Sequence, residues 1–398
     1  KTILELIEQK NYPSIKQYLS EMNVVDIAYA FEYIPTLEVL KIFRLLPKDK
    51  AADVFSYLTS DNQQVIVEAL TDAELAKIVN DLFSDDAADF VEEMPSNVVK
   101  RVLKSASVET RNAINHLLQY PDESAGSIMT IDFVEFKENI TVEQAFQILR
   151  KTAVDKESIY TCYLISPERK LKGVVEVRDL LLATPETLVS DIMRKNIKYA
   201  YTTDDQEKLA NDFRRYDLLA MPIVDLEERL VGIVTIDDAV EVLEEENTED
   251  FEKMAALAPS DVPYMKNSVL MLSKNRIIWL LALMLSATLT GIIIDGFEAA
   301  IIAVPALVSF IPMLMDTGGN AGAQVSTLVI RGMALEEIKP SNIMLVFWKE
   351  VRVSVLVGFG LALVNFLRIL IMYQDTRLGL VVSITLYATV IIAKCVGS

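Results

Sequence analysis

The chain has 398 residues, 52% of them hydrophobic, and its 57 Asp and Glu against 38 Lys and Arg give a net charge of −19. That length suits two or three domains, and so dense a set of carboxylates repels nucleic acid, which argues against a DNA or RNA partner. The two cysteines, Cys162 and Cys395, make no disulfide framework or zinc site. One histidine, no nucleophile motif and no glycine-rich phosphate loop argue against an enzyme. The charge is also uneven. From Ser273 onward nine Lys and Arg face seven Asp and Glu, leaving 29 basic against 50 acidic groups before it. An acidic first part, able to attract cations or simply to stay solvated, precedes an apolar remainder.

Residues Thr2 to Tyr120 read as short helices throughout. LPKDKAADVFSYL (Leu46 to Leu58) returns as LFSDDAADFVEEM (Leu82 to Met94), displaced by 36 residues, so a stack of helix pairs is expected. Val54, Phe55 and Leu58 fall on the face that would meet the neighbouring repeat. Each Ala-Ala-Asp triplet ends in an acid, Asp53 and Asp89, and Asp85 and Asp86 open the second copy. A helix N-terminus favours such acids in any case. His116, in RNAINHLLQY, is expected to be structural. Nothing that reads as a signal peptide precedes this region, so it is expected in the cytosol.

The middle of the chain repeats itself. SIMTIDFVEF (Ser127 to Phe136) is answered by DIMRKNIKYA (Asp191 to Ala200), and KGVVEVRDLL (Lys172 to Leu181) by VGIVTIDDAV (Val231 to Val240). Short β-rich runs such as YTCYLIS and AMPIVD alternate with helical runs such as VEQAFQIL and QEKLANDF. Two β-α-β-β-α units sharing one buried sheet face are expected. This resembles a tandem CBS module, with units over residues 125–188 and 189–246. The resemblance implies adenine-nucleotide binding through a Thr or Ser and an Asp after the strand glycine. The second unit supplies Thr235 and Asp238; the first has Glu176 where the Thr would stand, so ATP is expected at the second unit.

Next comes DDAVEVLEEENTEDFEKMAAL, Asp237 to Leu257. Asp238, Glu241, Glu245 and Glu249 advance by helical steps and share one face, with Glu246 and Asp250 beside them. Like charges so spaced repel, and a divalent cation would turn that repulsion into coordination.

The last part carries four apolar stretches: Ile277 to Ile294, Ala299 to Ile330, Val353 to Tyr373, and Leu378 to Lys394. Lys274 and Arg276 precede the first, and Arg331, Lys339, Lys349 and Arg352 lie between the second and third. This bias puts those segments and the acidic part in the cytoplasm. The second stretch is interrupted by Pro305, Pro312 and MDTGGNAGAQ (Met315 to Gln324). Non-helical backbone inside a bilayer is tolerated only in protein or beside water, and an intramembrane acid marks a pathway. Asp316, Thr317, Gly318, Gly319, Asn320 and Gln324 are therefore candidate pore-lining residues, or else a small-residue packing interface. With Arg331 close behind, the motif is expected in the inner half of its helix.

The order of these parts, together with Pro312 to Gln324 and the following STLVIRGMALEEI, resembles the MgtE family of magnesium channels over essentially the whole chain. The fold class expected is a multidomain membrane protein. It comprises an all-α acidic repeat domain (1–124), an α/β CBS pair (125–246), a connecting or plug helix (247–272) and an α-helical transmembrane bundle (273–398). The resemblance implies a homodimer in the inner or plasma membrane that imports Mg2+ and is shut by cytosolic Mg2+. The sensing acids would be Asp53, Asp85, Asp86, Asp89, Asp238, Glu241, Glu246, Glu249 and Asp250. It also implies a fifth membrane helix carrying a selectivity carboxylate, expected beyond residue 398. The alternative is a non-conducting, membrane-tethered magnesium or nucleotide sensor.

Overall fold

A computed structural model describes residues 2–260, 264–265, 267–335 and 337–398. The chain forms two compact units, one reaching to Leu243 and the other beginning at Glu244.

The first unit opens with ten short helices, α1 (Thr2–Glu8) to α10 (Val108–Leu117). The two Ala-Ala-Asp segments form α5 (Ala51–Ser56) and α8 (Ser84–Glu92). Their apolar residues do what the spacing predicts: Val54, Phe55 and Leu58 are buried, as are Ala87, Ala88, Phe90 and Val91. Phe55 meets Phe90 edge to face with centroids 5.0 Å apart, and Phe31 and Phe43 extend the chain of rings. Each such ring contributes about 1.5–3 kcal/mol by burial, so the repeats are joined by their cores, while Asp53 and Asp89 stay at the surface and Asp85 is buried. His116 packs against Tyr120, whose hydroxyl lies 3.3 Å from its Nε2.

Two α/β units follow. The first runs β1 (Glu135–Lys137), α11 (Val142–Thr152), β2 (Thr161–Ile165), β3 (Leu171–Glu176) and α12 (Val177–Leu182). After α13 (Val189–Ile192), the second runs β4 (Ala200–Tyr201), α14 (Gln206–Tyr216), β5 (Ala220–Val224), β6 (Leu230–Thr235) and α15 (Ile236–Met254). Each sheet has its first pair parallel and its second antiparallel, in the order β1-β2-β3 and β4-β5-β6. The expected shared face is present: Phe133, Tyr163 and Ile165 of the first unit pack with Leu230 and Ile233 of the second. The swap is reciprocal, since Thr130 bridges Ile233 and Arg194 bridges Val174.

The connecting helix does not begin at residue 247. It is the continuation of α15, which leaves β6 at Ile236 and ends at Met254. Residues 261–263 and 266 of the expected connecting segment lie outside the described residues.

The second unit holds α16 (Val269–Gly296), α17 (Glu298–Ala303), a 3-10 turn over Pro305–Phe310, α18 (Ile311–Ala334), α19 (Ile343–Tyr373) and α20 (Thr376–Gly397). Among the described residues three helical segments are long and apolar enough to cross a membrane: Val269–Gly296, Pro340–Tyr373 and Thr376–Gly397. The fourth expected span, α18, has 24 residues, about 36 Å, but the motif makes it too polar to count with them. The interruption also moves. The motif is continuous α-helix, and the break falls at Val304 to Phe310 before it. Pro312 sits in the first turn of α18, where its missing N–H costs nothing. The three motif glycines keep negative φ.

Candidate functional site

Two constellations gather the predicted residues, one in each unit.

The first lies where α8 meets the CBS pair. Ser84, at the head of α8, donates its N–H to Asp132 at 3.0 Å, and its hydroxyl accepts the N–H of Ile131 at 3.1 Å. These bonds fix the first turn of α8, and hence Asp85, Asp86 and Asp89, against the entry to the first CBS unit. Asp85 is 7% exposed, and its Oδ1 has no hydrogen-bond partner among the described residues; neither has Oε2 of Glu157. Burial, then the charges of Glu157, Asp238 and Asp86, holds the Asp85 carboxyl well above the usual range. Burial, followed by Asp86, Asp238 and Asp237, pushes Glu157 up to about 8. Asp86 and Asp238 rise to about 6, again by burial first; Asp238 and Asp237 add to the former, Asp237 and Glu241 to the latter.

Asp89 rises to about 8, from the surrounding protein and then from Asp238, Asp86 and Glu241. Its side chain still reaches solvent, so its charge is better tolerated than that of Asp85. Asp53 is displaced upward by burial and by Asp49, at the exposed edge of the group. The arrangement is a convergence of carboxylates from α5, α8, the loop after α11 and the first turn of α15. Within it, burial makes the negative charges of Asp85, Asp86, Glu157 and Asp238 costly.

Glu157 and Asp237 are absent from the sensing set predicted from sequence. Asp237 could have been read from its place in the first turn of α15. Glu157 carries no signal at all, since only the tertiary fold brings residue 157 to residue 85. Further along α15 lie the more distal predicted acids. Glu249 pairs with Lys253 of its own helix at 2.7 Å. That bond first, then the charges of Asp250 and Glu246, raises the Lys253 ammonium. Glu246, Glu249 and Asp250 thus all act on Lys253 along the same helix.

A divalent cation is a fit for the first constellation: hard oxygen donors, two of them buried and unpartnered, with like charges pushing one another's pKa up. Among the described residues no three acidic, His or Cys side chains are drawn tightly enough together to hold an ion directly. Magnesium, which keeps several of its waters, suits the wider spacing.

The predicted nucleotide pair is turned inward. Thr235 donates its hydroxyl to Asp238 Oδ2 at 2.7 Å and its N–H to the same oxygen at 3.3 Å, the reach-back of a capping box. In the first unit Glu176 accepts from Arg194 at 2.6 Å and pairs with Arg178 at 3.1 Å.

The second constellation is the motif on α18. Asp316, Gly319, Asn320 and Gln324 are exposed and follow one another at helical spacing on a single face; Asn320 donates to Asp316 at 3.1 Å. Thr317 is half-buried, off that line. The opposite face is packed. A Cβ on Gly318 would meet Thr389 at 2.9 Å, and one on Gly322 would meet the Ala393 carbonyl oxygen at 3.3 Å. One turn further, Ser326 donates to the Gly397 carbonyl at 3.0 Å. Small residues every four positions on two parallel helices allow this approach, so one face of the segment packs against α20 while the polar face remains the candidate pathway. Asp316 stands 15 residues above Arg331, about 22 Å along the axis. Along α18 the motif lies toward the N-terminal end, in the half away from Arg331. Glu336, just beyond this helix, lies outside the described residues.

The sequence matches three family profiles: MgtE intracellular N domain over residues 22–123, CBS domain over 125–186 and 189–245, and Divalent cation transporter over 311–398. The magnesium transporter MgtE of Thermus thermophilus is 38% identical over 315 residues, 79% of this chain and 69% of that protein. The magnesium transporter MgtE of Bacillus subtilis is 34% identical with the same coverage. A crystal structure of the cytosolic domain of the Mg2+ channel MgtE in complex with ATP superposes with a TM-score of 0.57 at 33% identity. It covers 60% of this chain and 98% of that one. With its N-terminal part matching that cytosolic domain and its remainder built of membrane-spanning helices, the chain belongs to the MgtE family of magnesium transporters.

Proposed function

We propose that the chain is a magnesium channel that admits the ion down its electrochemical gradient and is closed by it from the cytosolic side. The observation that carries this reading is the buried carboxylate convergence, with unpartnered oxygens on Asp85 and Glu157. It is built on the first turn of α15, which leads on toward the membrane helices.

When cytosolic magnesium is scarce, Asp85, Asp86 and Asp89 repel Glu157, Asp237, Asp238 and Glu241. The helical domain then separates from the CBS pair and releases α15. When magnesium is plentiful, hydrated ions between these acids replace repulsion by attraction. Asp53 contributes at the rim, and Glu246, Glu249 and Asp250 form a second acidic group, where a cation competes with Lys253 for the carboxylates. The ion path runs along Asp316, Gly319, Asn320 and Gln324; Thr317 supports that face from its flank. The working unit is a homodimer, with the path between subunits. ATP is a second ligand of the CBS pair, and binding at the second unit requires Asp238 to give up its bond to Thr235.

Liposomes containing the chain and a magnesium-sensitive dye test the reading. Uptake from outside that stops when the lumenal, domain-facing magnesium is raised is the expected result. Asp238→Asn, Glu241→Gln and Glu249→Gln together should leave uptake running at high magnesium. Absence of uptake would favour the non-conducting sensor. Unchanged closure in the triple variant would remove those acids from the gate.

A further inference from the structure

A side-chain hydrogen bond ties α15 to the motif helix. Arg331 in the last turn of α18 donates Nη1–H to Asn247 Oδ1 at 3.3 Å. The backbone that presents Arg331 is itself pinned. The chain turns back after α18 so that Ile338 donates its N–H to the Gly332 carbonyl at 2.8 Å, and a Cβ on Gly332 would meet Ile338 Cδ1 at 2.6 Å. The far end of α15 is held as well. Glu252 accepts the N–H of Ser260 at 2.9 Å, and Ala258 exchanges backbone and side-chain bonds with Asn275 of α16 at 3.4 Å. The C-terminal half of α15 is therefore fastened to α16 through a short return of the chain. It meets α18 through the Arg331–Asn247 bond.

We propose that Arg331 is a positioning residue whose bond to Asn247 seats α15 on the cytosolic end of α18, and so sets the magnesium concentration at which conduction stops. The proposal rests on the gated-channel reading above. Arg331 lies 15 residues from Asp316, about 22 Å along the helix, so it acts through helix position and not on the permeating ion. Asn247 lies between the carboxylate convergence and the far anchor on the same continuous helix. Seating it restrains the helix whose first turn carries Asp237 and Asp238.

Two measurements on the full chain test this. With Asn247→Cys and Arg331→Cys in a Cys395→Ser background, mild oxidation should join α15 to α18 about fivefold faster in magnesium than in EDTA; Cys162 is buried and does not compete. No cross-link, or a rate indifferent to magnesium, overturns the proposal, and this readout needs no conduction. In flux assays Arg331→Ala should raise the half-closing magnesium about fivefold with maximal flux unchanged. Arg331→Lys should recover part of that shift. Asn247→Asp, which gives the guanidinium a carboxylate, should move the midpoint the other way, and Asn247→Ala added to Arg331→Ala should shift it no further. Equal shifts from Asn247→Asp and Asn247→Ala, or lost flux without a midpoint shift, overturn the proposal. A wild-type chain that conducts nothing overturns the channel reading instead.

Discussion

At the scale of single residues, the acids divide by what holds them. Asp85 and Glu157 keep buried oxygens without partners, Asp238 is satisfied by Thr235, and Glu249 by Lys253. A buried unsatisfied polar group costs about 1–3 kcal/mol. Asp85→Ala should therefore stabilise the cation-free protein by about that amount, and should also abolish most of the stabilisation that added magnesium gives. Thermal unfolding with and without magnesium checks both halves. A destabilised variant that still responds to magnesium would contradict the assignment. Asp85 could be found in the sequence because it opens a repeated Ala-Ala-Asp segment. Glu157 could not, because it sits in an irregular loop and gains its role only from a neighbour 72 positions away.

At the scale of elements, the CBS units followed from alternating patterns because strand and helix periods differ so clearly. The motif helix did not. Glycines and an acid in an apolar run suggested broken backbone, yet glycine also serves where two helices approach closely. The packed side settles which use applies at which position. Gly319, with open space beside it, should accept Ala with a gain of about 1 kcal/mol in helix stability. Gly322→Val would press a branched side chain on the Ala393 carbonyl and should lower the unfolding temperature in detergent. Equal tolerance at the two positions would mean that α18 and α20 are not in contact as described. The break itself, at Val304 to Phe310, was announced by Pro305. Phe310 joins Ile369, Leu378 and Val382 in a small core at the turn between α19 and α20.

At the scale of the whole molecule, the raised carboxyls make stability depend on pH and magnesium together. Unfolded carboxylates titrate near pH 4, whereas Asp86 and Asp238 stand at about 6 and Asp89 and Glu157 at about 8. Without divalent cation, their stabilising contribution is complete below about pH 4 and is lost as pH rises through 6 to 8. Metal must compete with protons for the same oxygens, so magnesium should raise the unfolding temperature strongly at pH 8 and little at pH 5. Calorimetry at the two values decides it; equal effects would place the cation elsewhere. The match of Gly318, Gly322 and Ser326 to Thr389, Ala393 and Gly397 has a mechanical corollary. Helices meshed at successive turns, with Ala321 of α18 packed among Leu386 and Val390 of α20, cannot twist independently. Any swing of α18 must drag α20 with it, so the two helices move as one welded lever.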